Sequence, residues 1–158
     1  MTKQTKGTHE YQDDPRNATI RIDINGELFA REEARVSVFD SGFVLGDGIW
    51  EGLRVHHGKV AFLDQHMDRL YEGAKALDMD MEVTPQQLRE RIYRVLEENA
   101  MHEGVHIRLM VSRGIKATPY QDPRITITPP TIVIIPEYKE ALPETAYKGI
   151  RLFTVHVR

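Results

Sequence analysis

The stretch Val105-His106-Ile107-Arg108-Leu109-Met110-Val111-Ser112 alternates side to side over its whole length. A period of two is that of a β-strand, and Val105, Ile107, Leu109 and Val111 give it one fully apolar face. His106, Arg108, Met110 and Ser112 share the other face. That face is either plain solvent surface, the usual state of an antiparallel sheet, or the wall of a cavity. What decides the fold class is the position of this strand in the chain, because two helices come before it.

Over residues 64–79 Met67, Leu70, Tyr71, Ala74 and Leu77 recur at helical spacing, with Asp64 expected as the cap. The second helix announces its start with Thr84 as N-cap, Pro85 at the first helical position and Gln87 three residues after the cap. Leu88, Ile92, Val95 and Leu96 are its buried stripe. Further upstream Ile20, Ile22 and Ile24 alternate with Arg21 and Asp23, which puts the isoleucines inside and the two charges on the wet side. Asn25-Gly26 is the preferred pair for a two-residue turn, and residues 27–30 return as a second strand. Residues 53–55 and 59–63 read as two more strands around His56-His57-Gly58. Downstream, residues 116–130 hold four of the eight prolines and read as a loop. Residues 131–135 are apolar on both faces, as in a central strand, and 150–158 repeat a strand pattern.

The expected fold class is therefore α+β, a mostly antiparallel sheet of about six strands with two adjacent helices on one face. Residues 1–17 read as a flexible N-terminal arm and 18–148 as the α+β domain. Residues 149–158 read as a strand leading into a further, C-terminal domain.

Composition is consistent with this division. The 158 residues are 41% hydrophobic and 28% charged, the balance of one soluble globular domain. A net charge of −3 gives no footprint for nucleic acid or an anionic membrane surface. Without cysteine there is no disulfide, thiolate metal site or cysteine nucleophile. No apolar run approaches the ~20 residues of a membrane span, and residues 1–16 lack the apolar core of a secretory signal. The cytoplasm is the expected location.

Three places carry candidate chemistry. Residues 42–54 pack Gly42, Gly46, Gly48 and Gly52 around Trp50, Glu51 and Arg54; such a segment either lets a ligand approach the backbone or tightens a turn between core elements. Arg69 borders the buried stripe of the first helix. Its guanidinium either grips a phosphate through two parallel hydrogen bonds or makes an exposed ion pair with Asp68 or Glu72. The third place is the face shared by His106 and Arg108. His56, His57 and His66 are not expected to form a metal site, since adjacent histidines on a strand point to opposite faces and no His/Asp/Glu spacing of a known metal site is present. Ser41 has Asp40 beside it but no base at fixed spacing and no nucleophile elbow.

Five segments in order then become recognisable: Ile24-Asn25-Gly26-Glu27; Phe39-Asp40-Ser41-Gly42-Phe43; Gly46-Asp47-Gly48-Ile49-Trp50-Glu51-Gly52-Leu53-Arg54; His66-Met67-Asp68-Arg69-Leu70; and Ile107-Arg108-Leu109-Met110-Val111-Ser112-Arg113-Gly114. Together they resemble the class IV, or fold-type IV, aminotransferases that use pyridoxal 5'-phosphate. This family includes branched-chain and D-amino-acid aminotransferases, (R)-selective amine transaminases and aminodeoxychorismate lyase. The resemblance runs over residues 20–158 and implies the smaller, N-terminal domain of a homodimeric enzyme that moves an amino group between a small amino donor and a 2-keto acid.

Residue by residue, it implies that Arg69 binds the cofactor phosphate and that Trp50 shapes the substrate pocket. Gly52 lies where substrate approaches backbone, and Arg108 near the substrate carboxylate. His106 takes a pocket position that is often tyrosine, and Leu45 one that is tyrosine in some members. The family's Schiff-base lysine falls beyond Arg158, so no catalytic residue is expected within the chain, and the chain alone is expected to be inactive. None of Lys59, Lys75, Lys116, Lys139 and Lys148 matches that lysine; Lys116 sits in the proline-rich loop, where nothing is expected to desolvate it. The same resemblance leaves two alternatives: a pyridoxal-phosphate lyase, or a non-catalytic module that binds a phosphate ligand.

Overall fold

In the computed structural model, which describes residues 13–140, 147–149 and 152–156, six strands form one antiparallel sheet in the order β2-β1-β6-β5-β3-β4. The strands are β1 (Arg21–Ile24), β2 (Glu27–Ala30), β3 (Gly48–His56), β4 (Lys59–Val60), β5 (Val105–Ser112) and β6 (Thr131–Tyr138). A short helix α1 (Ser41–Leu45) precedes β3, and α2 (Leu63–Ala76) and α3 (Pro85–Glu98) lie between β4 and β5. The α+β expectation and the antiparallel sheet are what the structure has. Among the described residues no helix is long and apolar enough to cross a membrane.

The β5 alternation is realised as read: Val105, Ile107, Leu109 and Val111 are buried, while His106, Arg108 and Met110 are half-buried. Register carries that division into β3, where Leu53 and Val55 stand opposite Ile107 and Val105, and Trp50, Gly52 and Arg54 stand opposite Met110, Arg108 and His106. The first set joins one core with Met67, Leu70 and Ala74 of α2 and Leu88, Ile92 and Val95 of α3. The second set is left on the face away from the helices. Asn25 and Gly26 take positive φ, 52° and 92°, as their turn requires. At Thr84 the hydroxyl accepts from the Gln87 N–H while the Gln87 side chain accepts from the Thr84 N–H, the expected capping box.

Several expectations need correction. Asp23 is not on the wet side. It is fully buried and its carboxylate accepts from Arg91 and Arg94 of α3. The register places Asp23 opposite Ile134, on the helix-covered face, and a carboxylate there is tolerable only when paired. Asp64 is not the cap of α2; Phe62 is, in a left-handed conformation, while Asp64 lies in the first turn and pairs with Arg89 at 2.5 Å. A carboxylate in the first turn still favours the helix through its dipole. The strand expected over 53–55 starts at Gly48, and the one over 59–63 is only two residues long, because Leu63 already belongs to α2.

Residues 1–12 of the expected arm lie outside the described residues. Its last part is held in place. Asp14 caps a short helical turn (Pro15–Thr19), Asn17 exchanges hydrogen bonds with the Tyr138 backbone, and Arg16 lies over the Tyr138 ring. Of the strand expected over 150–158, residues 152–156 are described, and they are exposed and pair with none of the described strands. The proline-rich loop folds on itself, with Ile127 N–H donating to Ile115 O and Ala117 N–H to Ile125 O.

Candidate functional site

β3 is the element around which the candidate residues gather. β4 pairs only with Val55 and His56, so among the described residues the preceding part of β3 has β5 on one side and no strand on the other. Candidate side chains stand on both faces of this part of β3.

On the helix side stands Glu51, between Trp50 and Gly52 in the chain but in the buried register of Leu53 and Val55. Its side chain is 4% exposed. Oε1 accepts from Arg69 Nε at 2.7 Å and Oε2 from Arg69 Nη2 at 2.5 Å. His66, one turn before Arg69 on α2, brings Nδ1 to 2.8 Å from Oε2 and 3.2 Å from Arg69 Nη2. The Arg69 hydrogen bond, with His66 adding to it, holds the Glu51 carboxyl below the usual carboxylate range against the opposing effect of burial. Arg69 is raised by the same bond. The arginine itself is 68% exposed, and among the described residues its Nη1 has no hydrogen-bond partner. Neither Asp68 nor Glu72 is its ion-pair partner; helix neighbours compete poorly with a buried carboxylate that has no other permanent cation to satisfy it.

On the other face, Trp50, Gly52, His106 and Arg108 come together. The Arg108 guanidinium lies over the Trp50 ring, 4.0 Å from its centroid. His106 fills the space that a side chain at Gly52 would take: a Cβ there would be 3.1 Å from His106 Nε2. Burial, then the charges of Arg54, Lys139 and Arg108, push the His106 imidazole down to about 4, so it is neutral at physiological pH. Arg54 is itself tied to the backbone of Lys139, through a hydrogen bond to its carbonyl. Arg69 is not part of this group. It stands on the opposite side of β3, reaching the strand through Glu51.

Other readings change. Lys116 is 1% exposed, with Nζ donating to the Asp122 carbonyl at 2.9 Å, so the loop does remove it from water. His56 and His57 do not diverge; His57 lies in the turn at φ 50°, and both histidines reach Glu103. Asp40 accepts from Ser112 Oγ and Gly42 N–H, and Ser41 Oγ donates to the Asp47 carbonyl, so the two side chains are not a nucleophile pair. A groove of about 690 Å³ between α2 and α3, lined by Phe62, Asp64, Arg89 and Tyr93 among others, touches none of the candidate residues.

The pairing of Glu51 and His66 with Arg69 is what residue order did not show. The signal was present for Glu51, a carboxylate in the same alternation as Leu53 and Val55 and thus destined for a buried, paired position.

The family model described as amino-transferase class IV matches residues 48–158. The chain is 38% identical over 144 residues to branched-chain-amino-acid aminotransferase-like protein 1 of Arabidopsis thaliana, an alignment covering 91% of this chain and 26% of that protein. It is 37% identical over 139 residues to a putative branched-chain-amino-acid aminotransferase of Methanocaldococcus jannaschii, covering 88% and 46%. The fold superposes on the crystal structure of the T.th. branched-chain amino acid aminotransferase complexed with N-(5'-phosphopyridoxyl)-L-glutamate. The TM-score is 0.65 at 26% identity, over 77% of this chain and 41% of that one. The chain thus spans about a quarter to a half of the length of these proteins.

Proposed function

This chain belongs to the class IV amino-transferase family, and on that premise we propose that the protein is a pyridoxal-phosphate-dependent aminotransferase. Its reaction would exchange an amino group between a small amino acid or amine and a 2-keto acid.

The observation that carries this reading is the state of Arg69. One edge of its guanidinium is held by buried Glu51, while the arginine is 68% exposed and its Nη1 has no hydrogen-bond partner among the described residues. This donor set suits a phosphate, which accepts paired N–H groups from a planar fork of fixed direction. Arg69 would therefore hold the phosphate of pyridoxal phosphate. When bound, that group supplies an electron sink for the substrate α-carbon.

Trp50, Gly52, His106 and Arg108 would form the substrate wall. A guanidinium lying over an aromatic ring keeps its N–H edge for a further partner, which suits Arg108 to a substrate carboxylate. Gly52 offers bare backbone, and neutral His106 adds a hydrogen-bonding group without a second charge. None of the chain's lysines is assigned the covalent link to the cofactor. Assembly as a homodimer and a cytoplasmic location belong to the same proposal; exposed apolar side chains such as Phe43 and Tyr120 give a dimer surface to cover.

The test is a transamination assay of the gene-encoded protein, supplied with pyridoxal phosphate, against L-branched-chain amino acid, D-amino acid and (R)-amine donors. Keto-acid formation from at least one class is expected. A protein that retains the cofactor and transfers from none of them would overturn the reading.

A further inference from the structure

We propose that Glu51 and His66 are positioning residues that aim Arg69 at its anion without touching the ligand themselves. This rests on the phosphate role proposed above for Arg69.

An arginine offers two edges on which a pair of parallel N–H groups can grip an oxyanion, one through Nε and Nη2 and one through Nη1 and Nη2. Glu51 occupies the first edge with both of its oxygens. The second edge is left as the one bidentate face for a ligand, and its direction is set by a carboxylate rooted in the sheet. His66 Nδ1, 2.8 Å from Oε2 and 3.2 Å from Arg69 Nη2, holds the same carboxylate oxygen from beside the arginine. The cluster is thus one strand residue and two helix residues, His66 and Arg69, three apart on the same side of α2. Because Arg69 keeps Glu51 ionised, the clamp persists well below neutral pH.

Two effects of Glu51 oppose each other. Its negative charge subtracts from the pull of Arg69 on a phosphate, while its hydrogen bonds remove the freedom of a long exposed side chain. Arg69 is largely in solvent, where charge attraction is screened; loss of orientation is not screened. Orientation therefore wins, and removing the carboxylate weakens anion binding although it removes a charge that repels the anion.

The experiment measures the dissociation constant of pyridoxal phosphate by equilibrium dialysis, with thermal melting alongside. It uses the gene-encoded protein and its E51Q, H66L, R69A and E51Q/R69A variants. Glutamine at position 51 accepts with one oxygen only, so E51Q should weaken binding about tenfold, with a smaller loss for H66L. In the R69A background E51Q should cause no additional loss, since the residue acts through the arginine. An E51Q protein that binds as tightly as wild type, or one that loses the same factor in both backgrounds, overturns the inference while leaving the phosphate role intact. Unchanged binding in R69A alone overturns the phosphate role itself. Where E51Q does not fold, H66L and H66L/R69A complete the same cycle.

Discussion

The guanidinium carbon of Arg108 stands 4.0 Å from the centroid of the Trp50 ring, across the β3–β5 pairing. Trp50 is nevertheless 60% exposed, so most of the ring faces outward beside a fixed positive charge. Removing it costs a cation–π contact worth about 0.5–1 kcal/mol and little core. Trp50→Ala should therefore leave stability and cofactor affinity nearly unchanged, yet shift the ratio of kcat/KM between bulky and small amino donors by about tenfold, the effect of a lost pocket contact of about 1–2 kcal/mol. Identical ratios across donors would take Trp50 out of the wall.

Gly52 and His106 share one small volume. A methyl group at position 52 would press on Nε2 at 3.1 Å, and the ring must give way by a few tenths of an ångström. Gly52→Ala is expected to lower kcat/KM about tenfold by moving the imidazole a few tenths of an ångström. Combining it with His106→Ala, which vacates the space, should recover part of the loss; no recovery would mean that the methyl group acts elsewhere.

His106 also makes stability depend on pH. Its folded value of about 4 lies below the ordinary 6.5, so between these values the unfolded chain binds the proton and the folded one does not. Stability then rises with pH from about 4 to 6.5 and gains nothing more from this group above that range. With the ring half-buried and partly screened, the change is about 1–2 kcal/mol. Glu51, whose value is depressed, contributes stability above the ordinary carboxylate value and loses it only at more acid pH. The urea midpoint of His106→Asn should lose the slope between about pH 5 and 6.5; an unchanged slope would show that another group is responsible.

Asp23 joins β1 to α3 as the shared acceptor of two arginines, and Arg91 Nε is already buried with no hydrogen-bond partner among the described residues. Asp23→Ala leaves the largely buried Arg91 without its carboxylate, while Arg94, 44% exposed, keeps solvent and the Gly26 carbonyl, and the change should cost about 3 kcal/mol in urea unfolding. Arg94→Ala, which keeps the Asp23–Arg91 pair, should cost less. A loss under about 1 kcal/mol for Asp23→Ala would mean that water satisfies both arginines.

What could be read from residue order alone is local in origin. The alternation of residues 105–112 sets which side of a pleat each residue takes, the Thr84 and Gln87 side chains satisfy N–H groups within their own first turn, and Asn25-Gly26 accepts positive φ wherever it stands. Each of these depends on neighbours a few positions away, so each was legible. The candidate wall of Trp50, Gly52, His106 and Arg108 needed one more fact, the β3–β5 register, which residue order did not supply, since the strand expected there began only at residue 53 and the family resemblance alone grouped the four residues.

Other features depended on partners that sequence spacing does not reveal. Asp23 looked solvent-facing until α3, 68 positions on, brought Arg91 over it. Lys116 looked exposed until its loop closed around it. Arg69 had two acidic helix neighbours and chose neither, because Glu51, 18 positions earlier, was held in the buried register of a strand where one strong cation had to meet it. Propensity and period act between near neighbours; the cost of an unpaired buried charge is settled between segments that become neighbours only when the sheet and its helices assemble.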